Sequence, residues 1–272
     1  VDKARMKNSA RAVSKFTEIK DGKLRIINQP PLIVPMRELI KCSTDPLIIK
    51  HGESKYVEFI SLVLAEYRKS LARDKRHLVR QYRAVDIARK VVGVGSVGTR
   101  AWIVVLEGSS SNDVLVLQIK EAQRSVLERY AGKAPFLQHG QRVVEGQRAM
   151  QTASDIFLGW TRAVGLDGKV HDFYVRQLWD GKGSFDLNAI DAEGLTALGK
   201  ICGWTLAHAH ARTGNRFAIA GYLGKSDTFD RAIVSFAEEY AKQNERDFQE
   251  FMEAYRSGVL CEKMDAQSRK LL

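Results

Sequence analysis

Residues Val91–Arg100 read VVGVGSVGTR, and the spacing Gly93-x-Gly95-x-x-Gly98, with Ser96 among the glycines, governs how the rest of the chain is read. Glycine admits φ > 0 and lets a ligand approach main-chain N–H groups closely. A row of such N–H groups cradles phosphates in several unrelated folds. The flanks say which kind of loop this is. Ala88–Val92 reads as a strand before it, and Thr99–Leu106 (TRAWIVVL), rich in β-branched and aromatic residues, as a strand after it. A dinucleotide-binding Gly-x-Gly-x-x-Gly must open a helix, because the helix N-terminus holds the pyrophosphate. A following strand demotes the Rossmann reading, and no Gly-Lys-Ser/Thr follows the loop to make it a Walker loop.

After the turn Gly108–Asn112, Asp113–Lys120 (DVLVLQIK) reads as a further strand ending in a lysine. A glycine loop between two strands, followed by a strand that carries a lysine, is how protein kinases hold ATP. Gly93, Gly95, Ser96 and Gly98 would offer backbone N–H groups to the phosphates, and Lys120 would meet them as a point charge. The plainer alternative for Lys120 is a solvated strand end. A carboxylate normally orients such a lysine. Glu145, on the helical run Gln141–Leu158, is the first choice, and Glu128, on Ala122–Tyr130, the second. Glu121, adjacent to Lys120, would point the other way from a strand. His171–Leu178 reads as a strand running into a glycine-rich turn. Gln177, Leu178 and Trp179 are therefore the candidates whose backbone would meet an adenine edge.

Elsewhere the chain alternates short elements. Phe16–Ile27 reads as a hairpin about Asp21-Gly22, and Pro30, Pro31 and Pro35 impose an extended segment. Ser54–Leu71 is an amphipathic helix, and the basic Arg68–Arg89 keeps helical spacing. Asp191–Arg212 and Thr228–Arg256 are helices, the second with a buried stripe including Phe229, Ile233, Phe236, Tyr240, Phe248, Phe251 and Tyr255. The fold expected is α+β: a nucleotide-binding antiparallel sheet lobe of about five strands over residues 86–185 and a mainly helical lobe over 186–272. A basic hairpin and helical segment, 1–85, precedes them.

Composition narrows the class. No apolar run approaches the roughly 20 residues of a membrane span, which excludes a helical membrane protein. The three scattered cysteines suit a reducing cytoplasm and argue against a disulfide framework or a cysteine zinc site. Residues 1–90 hold 21 Lys/Arg against 10 Asp/Glu, while the remainder holds 22 against 22, so the whole excess of +11 lies in the first third. That segment is either a solvated surface facing an acidic region or a site for an acidic partner or nucleic acid. His208-x-His210 is not a metal pair, since i and i+2 do not share a helix face. No Gly-x-Ser-x-Gly, His-Glu-x-x-His or Cys-x-x-Cys supports hydrolase or redox chemistry. A kinase's catalytic His-x-Asp and metal-binding Asp-Phe-Gly are also missing after the 191–212 helix, where only Asn215, Asp227 and Asp230 stand.

Long phrases resemble the bacterial family known as domain of unknown function 2252. They are VVGVGSVGTRAWIVVLEG, VLVLQIKEAQRSVL, QRVVEGQRAMQTASDIFLGWT, FYVRQLWDGKGSFDL, LAHAHARTGN and IAGYLGKSDTFDRAIVSFAEEYAKQNERDFQEF, and PPLIVP fits as well. That family is similar to aminoglycoside-phosphotransferase and protein-kinase-like enzymes. Its members carry Gly-Asp-x-His-x-x-Asn and Asn-Asp-Phe-Asp upstream of this region, like a catalytic loop and a metal-binding aspartate. The resemblance implies a circularly permuted kinase fold that uses ATP and Mg²⁺ on an unknown phosphate acceptor. It also implies a chain that holds the nucleotide clamp and lacks the catalytic half, as a C-terminal fragment would. The rival expectation is a non-catalytic scaffold that engages its partner through residues 1–90.

Overall fold

Asp21 and Gly22 both take positive φ, 52° and 69°, the geometry of a tight hairpin turn. They join β1 (Thr17–Lys20) to β2 (Lys23–Ile26), as the sequence predicts. The computed structural model describes residues 9–41, 60–91, 98–110, 112–164, 168–179, 185–186 and 188–259. Before the hairpin, α1 (Ser9–Phe16) buries Ala12 and Phe16. After it come β3 (Ile33–Pro35), α2 (Met36–Lys41), α3 (60–69) and α4 (Arg73–Val79).

The second sheet has six antiparallel strands in the order β3-β4-β5-β6-β8-β7. Its members after β3 are β4 (Arg83–Lys90), β5 (Ala101–Glu107), β6 (Val114–Glu121), β7 (Gly159–Val164) and β8 (Val170–Gln177). The strand expected at Ala88–Val92 therefore begins at Arg83, and the basic run 68–89 is not helical throughout. Pairing with β5 overrides the helical spacing of that stretch. Pro35 is tolerated because β3 is an edge strand.

Both faces of the sheet are covered, so β5 and β6 read as nearly continuous apolar runs. On one face, Val63, Leu64 and Tyr67 of α3 pack with Val104, Leu106, Leu117 and Val175. On the other, Ala12, Phe16 and Ile26 pack with Ile103, Val105, Val116 and Leu178. The alternation 103, 105 against 104, 106 is the strand period. Two buried carboxylates tie the layers together. Asp86 accepts from the Ile26 N–H at 2.8 Å and from Arg37, joining the hairpin and α2 to β4. Asp172 on β8 accepts from the His139 N–H at 2.9 Å and from Arg162 Nε at 2.6 Å.

The His139 N–H opens α6 (His139–Met150), which follows the one-turn α5 (Glu128–Ala131). The sequence extends that helix to Leu158, but it stops at Met150. Asp155 instead accepts from the Phe157 N–H at 2.8 Å and from the Gln177 N–H at 2.6 Å, fastening the segment to the end of β8.

The chain divides into units 1–212 and 213–272. The first ends within α7 (Ala192–Thr213), whose last residue falls in the second and on which Ala209 is buried. The second contains α8 (Arg216–Leu223) and α9 (Thr228–Arg256). The bounds of α9 agree with the sequence, but its stripe is not buried: Phe236 is 65% and Phe251 55% exposed. Leu195 and Leu206 on α7 are likewise exposed. Helical spacing marks an apolar face without supplying the surface that covers it.

Candidate functional site

Lys120 stands at the end of β6, paired with Ala101 on β5 and Tyr174 on β8. Directly paired residues share a face, so these side chains lie on the face that α1 covers. One step beyond the Arg89–Trp102 pair, Lys90 of β4 falls opposite Ala101. The row across four strands is therefore Lys90, Ala101, Lys120 and Tyr174. The short Ala101 side chain leaves the two lysines facing each other across it. Arg176, two residues along β8 from Tyr174, projects to the same face.

These cations feel one another. Burial, and then Arg176, lowers the pKa of Lys120. Burial, then Lys15 and Lys120, lowers that of Lys90. Among the described residues no carboxylate pairs with Lys15, Lys90 or Lys120. Aromatic rings complete the wall. Lys15 Nζ lies 5.8 Å from the Phe16 ring centroid and 5.6 Å from that of Trp179, and Lys90 Nζ lies 5.4 Å from that of Phe16. Phe16 and Trp179 meet edge to face at 5.1 Å. Trp179 holds φ at +60°, a strained conformation for a bulky residue.

Burial falls toward this end of the face: Val116 is fully buried and Gln118 8% exposed, whereas Lys120 and Arg176 are half-buried. The loop that joins β4 to β5 leaves from this end. Gly93, Gly95 and Ser96 lie outside the described residues. Gly98, at its close, takes φ +80°, and no atom lies within 4 Å of where a Cβ would sit.

The other sequence candidates are placed as follows. Gly140 of α6 touches Trp160, whose strand partner is Tyr174, so α6 lies on the face of Lys120. Glu145 on that helix accepts from Arg148 Nη1 at 3.1 Å and makes no bond to Lys120. Glu128 is held by Arg124 at 2.8 Å. Glu121 points to the opposite face, as expected, where it accepts from the Arg100 N–H and from Arg100 Nη1, both at 3.0 Å. Its burial raises the carboxyl pKa, but the Arg100 bonds outweigh that and hold it low. The Gln177 N–H is taken by Asp155 and the Leu178 N–H by Val116 O at 2.8 Å, so neither donor is open to an adenine edge. Asn215 caps α8, accepting from the N–H groups of Phe217 and Ala218. His208 lies against Trp204, the ring centroids 4.2 Å apart and the planes tilted by 53°. Among the described residues no group of three His, Cys, Asp or Glu side chains fits a divalent cation, so no residue is assigned to Mg²⁺.

Residues 1–254 match the model of a family described as an uncharacterized protein conserved in bacteria, DUF2252. The chain belongs to the DUF2252 family. No curated protein and no solved structure matches it significantly. No helix among the described residues is long and apolar enough to cross a membrane. In this DUF2252 chain the residues that sequence reasoning missed are Lys15, Lys90, Arg176 and Tyr174. The signal for Lys90 and Arg176 was their parity on strands of the same sheet as Lys120, legible only once the register is known.

Proposed function

We propose that the chain binds the phosphate groups of a nucleotide at the glycine-loop end of the six-stranded sheet, in a kinase-like phosphotransferase arrangement. The observation that carries this reading is the convergence of Lys90, Lys120 and Arg176, with Lys15, where the glycine loop leaves β4. Like charges so gathered repel one another, and a polyanion removes that cost. The order of parts supports the same reading: glycine loop between two strands, lysine on the third, then a helix on the lysine's face.

Each residue has a role. Gly93, Gly95, Ser96 and Gly98 present N–H groups to the phosphates. Lys120 binds phosphate as the central charge, with Lys90 and Arg176 on either side. Glu145 orients Lys120 after exchanging Arg148 for it. Gln177 and Leu178 hold the strand end in register through the bonds already described, and an adenine edge would need donors beyond them. ATP supplies the polyphosphate and a divalent cation its usual counter-charge. Catalysis of transfer requires an aspartate that the described residues do not place beside Lys120.

The test is nucleotide titration by calorimetry. Lys120→Ala is expected to weaken ATP binding at least tenfold with the melting temperature kept. Because protonated lysine is the binding form, affinity is also expected to fall as pH rises through the lowered Lys120 pKa, and Lys120→Ala to flatten that slope. Equal ATP affinity in wild type and Lys120→Ala sinks the reading.

A further inference from the structure

A second cationic site lies elsewhere in the first unit. The strand β3 pairs with Ala88–Lys90 of β4, so among the described residues the first half of β4 has no strand partner on that side. Along that open edge lies a cavity of about 460 Å³. This is within the size range of small-molecule sites, roughly 300–1,000 Å³. Among the described residues Arg25, Arg37, Arg68, Arg80 and Arg83 line it, with Asp86 as the one carboxylate. They come from β2, α2, α3, the end of α4 and β4, so tertiary folding gathers them.

Two of the five are already neutralised. Arg37 pairs with Asp86 and donates Nη2 to Ile26 O at 2.7 Å, and Arg83 pairs with Glu107. Arg25, Arg68 and Arg80 have no carboxylate partner among the described residues. Arg68 donates Nη2 to Tyr82 O at 3.2 Å, but its Nε is buried with no hydrogen-bond partner. A buried donor left unmatched is costly and calls for an explanation. Burial, then the neighbouring Arg80 charge, lowers the Arg68 pKa, so the two guanidinium groups also repel. Guanidinium groups with a surplus of directed donors suit phosphate and carboxylate oxygens. The rest of the described wall is mostly apolar, with Ile40, Ile60, Leu64 and Ile87 beside Ser61 and Tyr82.

We infer that this cavity binds a small phosphorylated organic molecule, with two anionic groups on Arg25, Arg68 and Arg80 and its carbon part against the isoleucines. It is a site separate from the lysine row. A recessed cavity with one aromatic, Tyr82, among its described lining residues favours a small molecule over a nucleic acid strand, which needs an extended track with stacking platforms.

The test uses pyrophosphate as probe, titrated by calorimetry into the full chain carrying Lys120→Ala, which removes the central charge of the other cluster. One site is expected, and adding Arg80→Gln, an exposed position, should weaken it at least tenfold. Arg25→Gln serves as a second variant with the same expectation. Arg73→Gln, an exposed arginine on α4 outside the cavity, should leave it unchanged. The proposal is overturned by absence of pyrophosphate binding, by equal affinity with and without Arg80→Gln, or by an equal loss in Arg73→Gln. An oligo-dT strand that binds more tightly than pyrophosphate and responds to Arg73→Gln also overturns it, in favour of a diffuse nucleic-acid surface. Since ATP is read on Lys120→Ala alone and pyrophosphate on Arg80→Gln, the two sites fail separately.

Discussion

At the scale of the residue, two glycines on one helix show how position decides an effect that composition cannot. A Cβ on Gly140 would stand 2.2 Å from the Phe173 carbonyl oxygen and 2.8 Å from its carbon, both main-chain atoms of β8. A Cβ on Gly146 would meet nothing within 4 Å. Alanine gains up to about 1 kcal/mol over glycine in a helix interior, while overpacking costs about 1–3 kcal/mol. Gly140→Ala is therefore expected to destabilise by more than about 1 kcal/mol, and Gly146→Ala to stabilise by about 0.5–1 kcal/mol, in denaturant unfolding. The same sign for both would show that α6 does not pack on β8 as described. Both glycines look alike in the sequence, because the contact that separates them comes from a strand more than twenty residues away.

At the scale of the element, Asp172 connects β8, β7 and the start of α6. Burial raises its carboxyl pKa, but the Arg162 and His139 hydrogen bonds outweigh this and hold it below its ordinary value. A carboxyl whose folded pKa is depressed stabilises the fold above its unfolded pKa, about 3.9, and that stabilisation disappears as pH falls through the folded value. Wild type is expected to lose stability below about pH 4 faster than Asp172→Asn. At neutral pH Asp172→Asn should cost about 1–2 kcal/mol, less than a fully buried pair because Arg162 is partly exposed. Parallel stability–pH curves for the two proteins would show that the pair carries no such linkage. Elements differed in how far they could be read. The β1–β2 hairpin was legible because Asp-Gly is a local turn signal, and α9 because its period runs for 29 residues. The start of β4 and the end of α6 were not, because the β5 pairing and the Asp155 bonds that set them are made at long range.

At the scale of the whole molecule, the first unit has two cores on a doubly covered sheet, whereas the aromatic stripe of α9 in the second is exposed among the described residues. Substitutions at exposed positions rarely change stability by more than about 0.5 kcal/mol, while truncating a buried aromatic costs about 3–5 kcal/mol. Phe236→Gln and Phe251→Gln are expected to leave unfolding free energy within about 0.5 kcal/mol and to reduce binding of a hydrophobic dye. A loss above about 2 kcal/mol would show that the stripe packs within the chain. The charge excess of residues 1–90 is distributed at this scale. Part of it is spent in ion pairs to later residues, such as Arg83–Glu107, and part gathers at the lysine row and the arginine cavity.

The sequence alone determined the α+β class, the strand on each side of the glycine loop, the opposite directions of Lys120 and Glu121, and membership of the DUF2252 family. Each follows from local period, turn chemistry or contiguous phrases. Only the tertiary structure decided which cations stand together, that Glu145 holds Arg148, that the Gln177 and Leu178 donors are taken, and that the α9 stripe is uncovered. Those facts depend on strand register and on packing between distant segments. Period-two and period-3.6 patterns say which way a side chain points, and only the fold says what it meets there.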